Sequence, residues 1–106
     1  MIYKSKSRHE HKVLITFEIP GSLWAERIHL VGDFNEWYRE SLPFRHTRDE
    51  TWRIEVELDR GREYRFRYLI DGDNWGNDWH ADRHVPGTDG SSDSVIVAEL
   101  SPQTWE

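Results

Sequence analysis

Trp37 and Trp75 each follow a cluster of Gly, Asp and Asn and stand outside any alternating run. Gly32-Asp33-Phe34-Asn35-Glu36 precedes the first, and Asp71-Gly72-Asp73-Asn74 the second. An indole displayed on a turn offers a flat π surface on which the C–H face of a pyranose ring stacks, while the sugar hydroxyls turn to planar polar partners. In a small domain the same ring serves equally well to fill the core, and spacing alone leaves both roles open. Arg67 is the third candidate. It alternates with Phe66 and Tyr68 and so falls on the face opposite theirs. There its guanidinium fork can bridge two sugar hydroxyls or close a cross-strand salt bridge. Trp52, on the apolar face of a clean alternation, is assigned to the core.

Carboxylates are plentiful, among them Asp71, Asp73, Asp78, Asp82, Asp89 and Asp93. Cleavage of a glycosidic bond needs two of them set across a sugar ring. Beside Gly, Asn and Ser such residues are ordinary turn formers, so no catalytic pair is assigned. Asp78, His80, Asp82 and His84 alternate as metal donors on one strand face would, but the run matches no established ligand spacing, and Pro86 with its neighbouring glycines marks it as loop. There is no phosphate-cradling glycine motif and no nucleophile elbow. Neither a metal nor a cofactor is expected.

The elements that must position these residues read as strands. Val13, Ile15, Phe17 and Ile19 alternate with Leu14, Thr16 and Glu18 until Pro20-Gly21 stops the run. Arg27 to Val31 is a second short strand, and Trp52 to Leu58 alternates apolar and charged residues without exception. After the turn Asp59-Arg60-Gly61, Tyr64, Phe66, Tyr68 and Ile70 share one face and Arg65, Arg67 and Leu69 the other. These two runs predict an antiparallel hairpin with Trp52, Ile54, Val56, Phe66 and Tyr68 inside and Arg65 and Arg67 pointing outward. Residues 75–94 read as a long loop and Ser94 to Ala98 as the last strand. Leu23-Trp24-Ala25 is too short for a helix, and no βαβ unit, repeat or heptad occurs. Short strands separated by turns every 8–12 residues or so predict an all-β sandwich or barrel.

With 106 residues the chain suits one domain. The expected division is a flexible, solvated N-terminal segment over 1–10, a domain over 11–100 and a C-terminal tail over 101–106. Six Trp, four Tyr and four Phe supply large rings to a thin core. The formal net charge of -6 argues against a nucleic-acid partner, which calls for a basic face; Lys4, Lys6, Arg8 and Lys12 make only a short basic end. No run is apolar enough to span a membrane or to serve as a signal peptide. The absence of Cys excludes disulfides and suits a reducing compartment, so a cytoplasmic location is expected.

Three segments taken together, Val31-Gly32-Asp33-Phe34-Asn35-Glu36-Trp37, Trp52-Arg53-Ile54-Glu55-Val56 and Tyr64-Arg65-Phe66-Arg67-Tyr68-Leu69-Ile70-Asp71-Gly72, resemble the early-set, family 48 carbohydrate-binding module. That module occurs on the N-terminal side of isoamylases, pullulanases and glycogen branching enzymes, and as the glycogen-binding domain of the AMP-activated protein kinase beta subunit. The resemblance runs from about Val13 to Ala98 and implies an immunoglobulin-like antiparallel β-sandwich whose partner is an α-glucan such as glycogen, starch or a maltooligosaccharide. It implies that Trp37 and Trp75 are stacking platforms and that Arg67, where a Lys is usual, bonds to sugar hydroxyls. It also sets Asp93 where the family has a sugar-binding Asn, and Ser91 where a Thr can stand. A Leu that inserts against the glucan in the kinase version has no counterpart in Thr88-Asp89-Gly90. Catalysis in the family belongs to a separate α-amylase-type barrel of about 250 residues, so no enzymatic activity is expected of this chain. The alternative reading is a docking module that packs against a glucan-metabolising enzyme.

Overall fold

A strand with one apolar face is stable only when a second apolar face covers it, and this chain supplies that cover with a second sheet. The computed structural model describes residues 1–21, 25–78, 80–87 and 90–100. Among them, one antiparallel sheet carries β1 (Ile2–Lys6), β2 (Lys12–Ile19), β5 (Trp52–Asp59) and β4 (Arg45–His46), in that spatial order. The other carries β3 (Ile28–Gly32), β6 (Glu63–Ile70), β9 (Ser92–Val97) and β8 (Arg83–Pro86), with β7 (Asn74–Gly76) also paired to β6. The expected class is observed: an all-β, immunoglobulin-like sandwich of the early-set type.

The period-two pattern fixes which residues meet. Along β2 and β5 the pairs Val13↔Leu58, Ile15↔Val56, Phe17↔Ile54 and Ile19↔Trp52 form the inner face of the first sheet. Ile28, Leu30, Phe66, Tyr68 and Ile96 cover them from the second. Phe17 is fully buried at the centre, its ring centroid 5.1 Å from that of Phe66 and 6.5 Å from that of Tyr68, both edge-on. Such contacts between rings add about 0.5–1.5 kcal/mol to what burial alone provides. Trp52 is in the core as expected, with His46 stacked on it. Ile54 and Val56 are only half-buried, at the rim where the two-residue β4 no longer flanks β5.

Three expectations need correction. The Trp52–Asp59 and Glu63–Ile70 runs are strands, but they do not pair with each other and lie in opposite sheets. The backbone changes sheets at the turn: the Arg60 N–H donates to His11 O (2.8 Å), and the next N–H, of left-handed Gly61, donates to Ala98 O (2.9 Å). Both strands already have better partners, β2 along the whole of β5 and β3 along most of β6. The segment 1–10 is not a free tail, since Ile2–Lys6 pairs with β2 from Ile2↔Phe17 to Lys6↔Val13. Lys4 points inward on this edge strand and reaches Asp82 Oδ2 at 2.8 Å, and the same oxygen accepts the Val97 N–H at 2.7 Å. An inward charge of this kind also discourages another chain from adding to the edge. Finally, the stretch 75–94 is not all loop, since it contains β7 and β8. Leu23, Trp24, Thr88, Asp89 and the tail 101–106 lie outside the described residues.

One buried polar contact closes an end of the core. The Tyr68 hydroxyl donates to Asp78 Oδ2 at 2.6 Å, while Asp78 Oδ1 accepts the His80 N–H at 2.7 Å. Burial first, and the adjacent carboxylate second, push the Tyr68 phenol well above its ordinary pKa, so it remains the donor. Tyr68→Phe removes that donor from a buried carboxylate and is predicted to cost about 1–3 kcal/mol. Phe17→Ala, which empties the centre, is predicted to cost about 3–5 kcal/mol. Urea unfolding with an unchanged m value measures both; a Tyr68→Phe variant as stable as the parent would show that the hydrogen bond has no net worth.

Candidate functional site

The loop that presents Trp37 is built by the residues just before it. Gly32 allows close approach, since a Cβ there would lie 2.5 Å from the Arg65 carbonyl oxygen. Asp33, Phe34 and Asn35 form one 3-10 turn. Phe34 anchors it against the core, 6.4 Å from Phe17 and 6.0 Å from Tyr64 between centroids. Asn35 closes the loop: its Oδ1 accepts the Gly32 N–H (3.0 Å), and its Nδ2 donates to Leu30 O (3.2 Å) and Tyr38 O (3.0 Å). Glu36 (φ 56°) and Trp37 (φ 61°) are both left-handed, a conformation unfavourable for residues with a Cβ and held here by the surrounding bonds.

Asp33 ties this loop to the sheet. It stands one step beyond the last β3–β6 pair, Gly32↔Phe66, so its side chain takes over where the ladder ends. Its Oδ2 accepts the Arg65 N–H at 2.8 Å and its Oδ1 accepts the Trp37 indole N–H at 2.9 Å. One carboxylate therefore fixes both the loop and the ring it carries.

Arg67 does face away from the core, paired with Val31 on the outer side of β6. The expectation of an exposed arginine is nevertheless wrong, for only 9% of Arg67 is accessible. Its Nε donates to Asp93 Oδ1 at 2.5 Å, so the cross-strand salt bridge is realised. Asp93 is likewise 6% accessible, buried beneath the face instead of standing at its edge, and Arg65 Nη1 approaches its other oxygen at 3.7 Å. Trp75 is on strand β7, not on a loop. Its partner Leu69 shares the outer face with Arg67, and 41% of the Trp75 surface is exposed. The Arg39 guanidinium sits over the Trp75 ring, 5.4 Å from its centroid.

These side chains line one open cleft of about 420 Å³: Trp37, Trp75, Arg67 and Asp93, together with Asp33, Arg39 and Arg65. The structure thus brings together four of the five residues singled out in the sequence. Ser91 is not among the lining residues; it lies exposed in the β8–β9 connection, where its carbonyl accepts the Gly87 N–H. Asp33, Arg39 and Arg65 were missed. For Asp33 the signal was its place directly after a strand-ending glycine, but the partners of Arg39 and Arg65 are distant in sequence. In the Asp78–His84 run, Asp78 holds Tyr68, Asp82 holds Lys4, and His84 Nε2 lies 2.9 Å from Asp78 O.

The family model of carbohydrate-binding module 48, the isoamylase N-terminal domain, matches residues 21–85, more than half of the chain. The chain belongs to that family. No curated protein matches it. As a family 48 module it is a carbohydrate-binding domain, and the matched span includes Trp37, Arg67 and Trp75 while stopping short of Ser91 and Asp93. The open cleft, with two indoles beside a polar floor, has the character that carbohydrate requires: apolar ring faces and polar edges addressed together.

In this module the Arg67–Asp93 pair is predicted to behave as a buried unit. Asp93→Ala removes the carboxylate that the buried Arg67 Nε meets and should cost about 3–5 kcal/mol, whereas the double variant Arg67→Met, Asp93→Leu should be more stable than either single variant. Denaturant unfolding of the three proteins measures this; strictly additive losses would contradict it. Asp33→Ala should leave the fold intact and release the Trp37 indole N–H, which would then exchange with solvent faster in two-dimensional NMR.

Proposed function

We propose that the module binds linear α-1,4-glucan in this cleft, with glucose rings stacked on Trp37 and Trp75 and their hydroxyls meeting the polar groups between strands β6 and β9. The observation that carries the reading is the convergence of two indoles from separate elements on a single cleft whose floor is Arg67 and Asp93. Since Asp93 is engaged by Arg67, its part in this reading is to hold the guanidinium toward the cleft; Ser91 is left out of the contact set. Among the described residues, two carboxylates line the cleft, and both serve internal bonds. We therefore assign the chain no hydrolytic role and associate it with a glucan-metabolising enzyme, in the cytoplasm.

Trp37→Ala and Trp75→Ala are each expected to weaken maltoheptaose binding by about 1–3 kcal/mol, on the scale of a base stacked on an aromatic ring. Tryptophan fluorescence titration of folded variants measures this, and affinity for the neutral sugar should vary little with salt. Equal affinity in the parent and both variants, or no response in the parent, would remove the reading and favour docking to a protein partner. Incubated with soluble starch, glycogen or pullulan, the chain should release no more reducing sugar than a heat-killed control.

A further inference from the structure

The Arg39 side chain crosses the cleft from one indole wall to the other. It stands two residues beyond Trp37 on the loop that carries that ring, yet its guanidinium lies over the ring of Trp75, 5.4 Å from the centroid. Trp75 belongs to a different element, strand β7, and all three side chains line the same cleft. The contact therefore sits on the cleft side of Trp75, where a sugar ring stacked within the cleft would have to lie. The root of the side chain is fixed: the Tyr38 N–H donates to Asn35 O (3.1 Å), and Asn35 Nδ2 donates to both Tyr38 O (3.0 Å) and Ser41 Oγ (2.9 Å). Beyond that root Arg39 is exposed, so its long stem can swing into water without disturbing the backbone.

A guanidinium and a pyranose cannot share one face of an indole. The first is drawn there by the ring quadrupole and its own planarity, the second by the contact of its C–H face with the π surface. At an exposed site a cation–π contact is worth a factor of about two to five in an equilibrium constant. A ligand that requires the uncovered state binds more weakly in proportion. We propose that Arg39 is a latch on Trp75: it covers the indole when no sugar is bound and must swing off before a glucan stacks there, so that it lowers affinity instead of contributing to it. This rests on the α-glucan reading above and adds to it a residue that sets the affinity.

Isothermal titration of maltoheptaose into the parent, Arg39→Ala, Trp75→Ala and the double variant tests it, with thermal unfolding as the check that each protein is folded. Arg39→Ala should bind about two- to fivefold more tightly than the parent. The same substitution in the Trp75→Ala background should change nothing. In NMR spectra of the parent, the Arg39 side-chain protons, shifted upfield by the indole beneath them, should return toward their ordinary positions as maltoheptaose saturates the cleft. Arg39→Ala binding no more tightly than the parent overturns the latch and leaves the α-glucan reading standing. Arg39 protons that keep their shifted positions in the saturated complex do the same. A gain that persists without Trp75 overturns the assignment of the latch to that ring. Failure of both the parent and Arg39→Ala to bind overturns the latch and the α-glucan reading together.

Discussion

Strand β6 has to satisfy two partners in succession along one edge. It pairs with β9 from Glu63 to Phe66 and with β7 from Tyr68 to Ile70, while β3 runs along its other edge. Arg67 falls at the changeover. One further step of the β6–β9 register would set Asp93 opposite Arg67, and their ion pair continues in side chains the ladder that has stopped in the backbone. Because β7 takes over at that point, Trp75 comes to lie beside Leu69, two residues from Arg67 and on the same face, roughly 7 Å further along the strand. Sheet register, and not a loop, sets the spacing between Trp75 and the polar floor.

The other indole of the cleft is held by a different device. Trp37 lies in a loop whose backbone is unfavourable at two consecutive residues, each at a cost on the order of 1–3 kcal/mol. Asn35 and Asp33 compensate, one bonding the loop to itself and the other bonding the ring and the sheet edge together. A ring fixed in this way would lose little freedom if, as proposed, a sugar stacked on it, which would favour binding without any additional contact. Phe34 links the arrangement to stability, since the residue that seats the loop also touches Phe17 at the centre of the core.

Sequence periodicity revealed the parts that depend on one strand and a solvent boundary. The inner rows of β2, β5 and β6 follow from alternation, and so does the outward direction of Arg67. Pairing did not follow: alternation marks a face as apolar without saying which sheet will cover it, and the turn at Gly61 suits a hairpin as well as a change of sheet. β1 was hidden by its composition, because an edge strand needs few apolar residues and Lys4 points inward only to reach Asp82, far along the chain. The burial of Arg67 was hidden for the same reason, since it depends on Asp93, 26 residues away. β7 and β8 are short strands among Gly, Asp and Pro, where turn chemistry masks a strand of three or four residues. The loop around Trp37 was legible as a motif but not as a mechanism, because what Asp33 and Asn35 do depends on a strand end that composition does not locate.

A buried ion pair is a poor choice if the only requirement is to hold a seam. Apolar side chains of similar volume are often neutral in such places, or more stabilising by about 1–4 kcal/mol, since they carry no desolvation cost. Core packing therefore does not account for Arg67 and Asp93. Neighbouring positions on the same outer face show what the alternative looks like: Leu69 and Val95 are apolar and buried and do not line the cleft, although their strand partners Trp75 and Arg65 do. Polar groups replace apolar ones at the step of β6 that forms the floor of a cleft walled by two indoles. An apolar floor there would stack sugar rings but leave their hydroxyls unpaired on desolvation, a penalty of about 1–3 kcal/mol for each group. In the proposed reading the charge pair is the feature that suits this face to a polar ligand, and the rest of the sandwich supplies the stability that tolerates it.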